Sequence, residues 1–251
     1  VSYKGIDFAD DNDFSLIIAL DCGIKAIDKV AYAKEKNIDF IICDHHKPGT
    51  KIPEASAILN PKRKDCSYPY DELCGCGVGF KLIQALASKR SQTIDDLVPY
   101  LDLVATAIGA DIVPMTGENR AMAYFGLQVI NSAPRNGFKA IIDQLKKPSL
   151  TITDVVFIIA PRINAAGRMK HGNYAVELLT EMDFNSAKEF AASIETFNTD
   201  RKELDKQITY EALRQIDEND EQQNSTTVVY AETWHKGVIG IVASRLIETY
   251  Y

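Results

Sequence analysis

The chain has 251 residues, room for one large domain or two smaller ones, and its 46% hydrophobic and 25% charged residues make an ordinary globular composition. The formal net charge of −7 argues against a surface given over as a whole to nucleic acid, because phosphate contacts need Lys and Arg. It leaves room for a local basic groove, and carboxylates gathered around metal ions would add to the acidic total.

No apolar run approaches the roughly 20 residues of a membrane helix. Val1-Ser2-Tyr3-Lys4 leads directly into Gly5 with no signal peptide, and the absent initiator Met suggests a processed or truncated chain. Five cysteines (Cys22, Cys43, Cys66, Cys74, Cys76) are an odd number, two of them in strand-like apolar contexts. Reduced thiols and a cytoplasmic setting follow. Cys74 and Cys76 have a zinc-like spacing but lack a second cysteine pair.

A short acidic helix and turn are expected over residues 5–13. Asp7, Asp10, Asp11 and Asp13 there read as a solvated helix face in preference to metal ligands. Residues 14–20 (FSLIIAL) form a continuous apolar run, as expected of a buried parallel strand, and end in Asp21-Cys22-Gly23. Helical spacing over 24–36 leads to a second apolar strand, 38–43, which ends in Asp44-His45-His46. Strands joined by a helix run parallel, so Asp21 and the two histidines emerge on one edge of the sheet. Carboxylate oxygen and imidazole nitrogen together suit divalent metals. Taken alone, Asp44-His45-His46 reads equally as a polar surface turn; the convergence with Asp21 favours metal.

Residues 55–59 form a third short strand. The stretch from Gly75 to Lys81 resembles a phosphate-cradling loop without the Gly-Lys-Ser/Thr ending of a P-loop. Close backbone packing at the start of a helix over 80–88 is the favoured reading. A buried helix over 97–110 ends at Asp111, which either reaches the shared site or makes a local hydrogen bond. Further helices are expected over 117–131 and 137–145. Arg162, Asn164 and Arg168, among small residues, suit an oxyanion or phosphate pocket on a loop, with a plain surface loop as the alternative. Helices follow over 174–179 and 186–218, the second long enough to bridge two domains. A polar linker spans 217–225, a new strand 226–231, and a loop containing His235 feeds a last helix. One strand and one helix cannot bury a core, so the second domain is expected to be incomplete.

Five stretches together resemble one family. They are Asp21-Cys22-Gly23; Asp44-His45-His46; Gly109-Ala110-Asp111-Ile112-Val113-Pro114 with Gly117-Glu118-Asn119-Arg120; Arg162 to Arg168; and Trp234-His235-Lys236-Gly237-Val238-Ile239-Gly240. In this order they are similar to the RecJ family of single-stranded-DNA-specific exonucleases, within the DHH phosphoesterase superfamily. The resemblance implies an α/β fold with a mostly parallel sheet flanked by helices: a DHH phosphoesterase domain over 1–184, a connecting helix and linker over 185–222, and the beginning of a smaller α/β DHHA1 substrate-binding domain over 223–251. It implies two divalent metal ions, Mn²⁺ or Mg²⁺. Asp21, His45 and Asp111 would be ligands, with Asp21 bridging. His46 would face the scissile phosphate and Asp44 would support it. Arg162, Asn164, Arg168 and His235 would lie along the substrate phosphate, and Arg168 would also count with His46 and Asp44 as catalytic.

The implied activity is 5′→3′ hydrolysis of single-stranded DNA in repair and recombination. A RecQ-type helicase and a single-strand-binding protein are the implied partners. Two alternatives stand beside it: a phosphodiesterase acting on dinucleotides or short oligonucleotides, and a non-catalytic DNA-binding scaffold. The family's Asp-x-Asp motif has no counterpart in residues 1–13, nor does the glycine-rich end of its DHHA1 domain. A fragment cut at both ends, poorly active or inactive by itself, is therefore expected.

Overall fold

The computed structural model describes residues 1–250. Helix α1 (Tyr3–Asp11), capped by Ser2, precedes strand β1 (Leu16–Leu20). Helix α2 (Ile27–Glu35) crosses to β2 (Asp39–Cys43), and β3 (Ala57–Leu59) follows. The three strands are parallel in the order β1-β2-β3, with Leu20 opposite Cys43 and Cys43 opposite Leu59. Their carboxyl ends therefore finish level, and the next residues, Asp21, Asp44 and Asn60, share one edge.

Two apolar layers flank the sheet. Ile6, Val30 and Ala33 pack with Phe40 and Ile42 on the side of α1 and α2. On the other side, Cys43 packs with residues of α3 (Gly75–Lys89), α4 (Leu101–Ala110) and α5 (Gly117–Ser132). The α/β class expected from sequence is thus the one observed, with helix dominating. Strand β1 differs from its expected burial: it lies at the sheet edge, and Leu16, Ile18 and Leu20 are about half exposed.

Helix α6 (Asn136–Leu145) follows, then the single turn α7 (Ile152–Asp154) and a π-helical turn over Val155–Ile159. This runs directly into α8 (Ala160–Met169), so Arg162, Asn164 and Arg168 lie on a helix, not the expected loop. Pro161 and Gly167 look like breakers in the sequence. Proline is tolerated in the first turn of a helix, where its missing N–H is not needed. Helix α9 (Asn173–Thr180) and the 35-residue α10 (Phe184–Glu218) come next, the latter capped by Asp183. The last helix is α11 (Ile239–Tyr250).

Residues 226–231 form no strand. Val228 is 82% exposed, and among the described residues no neighbouring strand completes a ladder. Instead the Gln215 carboxamide meets Tyr230: the Tyr230 N–H donates to Gln215 Oε1, and Gln215 Nε2 donates to the Tyr230 carbonyl, both at 3.1 Å.

Two compact units result, one of residues Val1–Ala133 with Ser149–Val156, the other of Pro134–Pro148 with the chain from Phe157 onward. Within the second, α10 packs against α6, α8, α9 and α11. Contacts therefore divide the chain at other positions than 184 and 222. Among the described residues no helix is long and apolar enough to cross a membrane.

Candidate metal centre

The site stands on the level strand ends of the first unit. Asp21 follows β1 and donates its N–H to the Cys43 carbonyl at 2.8 Å, which ties it to β2. Its φ of 60° is left-handed, a region that Asp enters more readily than most L residues. The carboxylate is thereby turned over the first turn of α3. A Cβ on Gly75 would lie 2.0 Å from Asp21 Oδ1, so only glycine admits the acid there. The glycine-rich stretch is close packing, as favoured, and it begins the helix at Gly75 instead of preceding it. Cys74 caps this helix by accepting from the Gly77 N–H at 3.2 Å, and burial pushes its thiol up to about 12. Cys76 is likewise pushed up, to about 11, by burial and then by the nearby carboxylates, so neither thiol is a ready zinc ligand.

His45 is 7% exposed. Its Nε2 lies 3.3 Å from Asp21 Oδ1 and 3.4 Å from Asp111 Oδ2. Neither approach is a hydrogen bond, and both ring nitrogens are buried without a partner. Asp111 ends α4 and is followed by Ile112, left-handed at φ 52° and 97% exposed. A β-branched residue in that region is strained. The turn that follows Asp111 is therefore held in strained backbone at Ile112, a cost on the order of 1–3 kcal/mol.

Asp44 plays a different part. It is 1% exposed and fully engaged. Oδ2 accepts from the Ile24 N–H at 2.9 Å, and Oδ1 from the N–H groups of His45 and His46 at 2.8 and 3.1 Å. Oδ1 also lies 2.7 Å from His46 Nδ1. Burial acts to raise its carboxyl, but these hydrogen bonds outweigh burial and hold it below the usual carboxylate range. Asp44 thus orients His46, whose side chain is 59% exposed. The carbonyl of His46 accepts from Asn60 Nδ2 at 2.9 Å.

Asp21 shifts the other way. Burial raises its carboxyl, Asp111 raises it further, and the two histidines oppose. Asp21, His45 and His46 each offer a ligand atom within 4.8 Å of the others, with Asp111 on the same His45 nitrogen. Two acids in mutual repulsion beside an unpartnered imidazole are a donor set that a divalent cation fits. The oxygen and nitrogen chemistry suits Mn²⁺, and less nitrogen-tolerant Mg²⁺ after it.

Two supports were given no role from the sequence, although Asn119 lies in one of the stretches that carry the resemblance. Asn60 was legible only as a turn residue after β3. Asn119 is wholly buried and donates through Nδ2 to the carbonyls of Glu72 and Pro114, at 2.6 and 3.0 Å, fixing the turn after Asp111.

The remaining site residues belong to the second unit. Arg162 donates to the Ile158 carbonyl at 2.9 Å and pairs with Glu195 of α10. Asn164 and Arg168 are exposed, and Arg168 donates to the Gly237 carbonyl at 3.3 Å. His235 Nδ1 accepts from the Gly237 N–H at 3.1 Å. Arg168 and the loop of His235 are thus brought together.

Residues 4–108 match the family model for the DHH family, N-terminal domain. The chain is 40% identical over 241 residues to the single-stranded-DNA-specific exonuclease RecJ of Bacillus subtilis, covering 95% of this chain and 30% of that protein. It is 33% identical to the Escherichia coli exonuclease of the same name, covering 100% of this chain and 46% of that protein. The chain therefore spans between about a third and a half of these relatives. Among solved structures, an exonuclease RecJ bound to manganese is similar at TM-score 0.89 and 28% identity, covering 100% of this chain and 62% of that one. RecJ from Thermus thermophilus in complex with Mn²⁺ is similar at TM-score 0.85 and 27% identity, covering 98% of this chain and 36% of that one.

Proposed function

We propose that the chain, whose residues 4–108 match the DHH family's N-terminal domain, carries the metal-dependent nuclease centre of a 5′→3′ exonuclease for single-stranded DNA. The observation that carries this reading is His45 Nε2, buried and unpartnered between Asp21 and Asp111. These three residues would hold divalent ions, two in number, with Asp21 shared. Bound ions of this class supply Lewis-acid polarisation of the phosphate and activation of water.

The protein's own groups do the rest. Asp44 keeps His46 Nδ1 engaged, so that Nε2 is the nitrogen offered to the scissile phosphate. Asn164, Arg168 and His235 would contact phosphate oxygens along the strand, and Arg162 would do so by exchanging its Glu195 partner. In the family's terms residues 1–184 form the phosphoesterase domain, 185–222 the connecting helix and linker, and 223–251 the beginning of the DHHA1 domain. The five cysteines are free, which suits a cytoplasmic setting. A helicase of RecQ type and a single-strand-binding protein fit as suppliers of the strand.

Mn²⁺ titration followed by thermal melting tests the centre. Mn²⁺ raises the melting temperature of the parent chain and not of Asp21→Ala; an equal rise in both would sink the assignment. Hydrolysis of a labelled single strand against its duplex and against a dinucleotide tests the substrate. Faster turnover of the dinucleotide would favour a small-substrate phosphodiesterase. Slow turnover is expected from the 251-residue chain alone, because three ligands are few for a pair of octahedral ions.

A further inference from the structure

Four basic residues of α10 and α11 take no part in the centre above, yet they are gathered around one cavity. Arg201, Lys202, Asp205, Lys206 and Thr209 of α10 line it with Arg245 of α11, enclosing about 470 Å³ within the second unit. Residues four apart share a helix face, so 201, 205 and 209 stack beside 202 and 206.

The single carboxylate among them is already taken. Asp205 is 2% exposed and receives Arg245 in a fork, Nε at 2.9 Å and Nη2 at 2.8 Å. It therefore aims Arg245, whose side chain stays half exposed, and its single negative charge is shared between Arg245 and the neighbouring Arg201. Arg201 is held by Asn198 Oδ1 at 3.0 Å, and Arg168 of α8 is close enough to repel it. Lys202 and Lys206 are exposed and have no ion-pair partner among the described residues. Thr209, which lines the cavity, has its Oγ1 buried without a hydrogen-bond partner. In a chain of net charge −7, four cations around one spent carboxylate form a concentrated positive site. No aromatic residue lines it, so it has no platform on which a base could stack.

We propose that this cavity binds the phosphodiester backbone of a single nucleic-acid strand, with Arg201, Lys202, Lys206 and Arg245 meeting phosphate oxygens and the Thr209 hydroxyl donating to one of them. The choice of a strand over a small phosphate rests on the nuclease reading; the anion site rests on the cavity itself. The grip is blind to sequence, because every contact is to phosphate.

Fluorescence anisotropy of a labelled oligothymidylate, titrated with the 251-residue chain in EDTA over a range of chloride concentrations, tests it. The parent binds at low salt. The double variant Lys202→Gln, Lys206→Gln, whose changed side chains are exposed and whose folding circular dichroism checks, binds more weakly. Its plot of log affinity against log salt is shallower by about 1.4, two contacts at about 0.7 each. Oligoadenylate shows the same loss. An unchanged slope, or a parent that does not bind, overturns the proposal. So does displacement of the strand by inorganic phosphate beyond that by chloride at equal ionic strength, which identifies a small-anion site. Because EDTA removes divalent ions, these outcomes are separate from Mn²⁺ binding, and either reading can fail with the other standing.

Discussion

The Asp21 carboxylate occupies the space that a side chain on Gly75 would need, with Oδ1 only 2.0 Å from where that Cβ would stand. The acid at the end of β1 and the first turn of α3 are thus fitted to each other. Gly75→Ala should displace the carboxylate and lower Mn²⁺ affinity by roughly 10–100-fold, the usual cost of losing a ligand's support. Calorimetric titration with Mn²⁺ reads this, and unchanged affinity would contradict the fit.

Asp111 repels Asp21 across His45 while no cation is bound. Asp111→Asn relieves that repulsion, so in EDTA the variant should melt higher than the parent. With Mn²⁺ at about a hundred times the parent's dissociation constant, the parent gains about 2.7 kcal/mol and overtakes it. Melting curves with and without Mn²⁺ should therefore cross over between the two proteins.

Asp44 and Asp21 link stability to pH in opposite senses. Asp44 is depressed below 3.8 in the folded chain, so its contribution is present above that pH and is lost as pH falls through the folded value. Asp21 is raised above 3.8, so its contribution is present below 3.8 and is lost as pH rises through its folded value. In EDTA, Asp44→Asn should be less stable than the parent at neutral pH, with the gap closing below pH 3.8. Urea midpoints across that range measure it; a gap that does not change with pH would mean that the carboxylate charge is immaterial.

Helices α4 and α5 meet backbone to backbone. A Cβ on Gly126 would lie 2.0 Å from the Leu101 carbonyl oxygen. Gly126→Ala should destabilise the chain by about 1–3 kcal/mol, as overpacking does. Its effect on Mn²⁺ affinity, corrected for folding, should be small.

The acids and histidines were legible because a strand–helix–strand unit forces its strand ends to one edge, and Asp21 and Asp44 are in fact level there. What periodicity cannot supply is the neighbour. The run 226–231 has strand composition, but a strand exists only with a partner, and Tyr230 finds only the Gln215 side chain. Likewise FSLIIAL reads as buried on both faces although β1 has a neighbour on one side alone. Arg162 to Arg168 suit a phosphate pocket or a plain surface loop by residue type alone; the π-helical turn before Ala160 carries the chain into α8, so they stand on a helix. The cations of α10 escaped notice because their grouping depends on Arg245, forty residues away from Asp205.

The edge position of β1 also sets how the chain behaves in a tube. Leu16, Ile18 and Leu20 are exposed on a strand whose outer backbone groups have no ladder to join. Such an edge is a template for a second polypeptide. Salt that screens the net negative charge should therefore favour edge-to-edge association of the concentrated 251-residue chain, which light scattering against salt concentration reads.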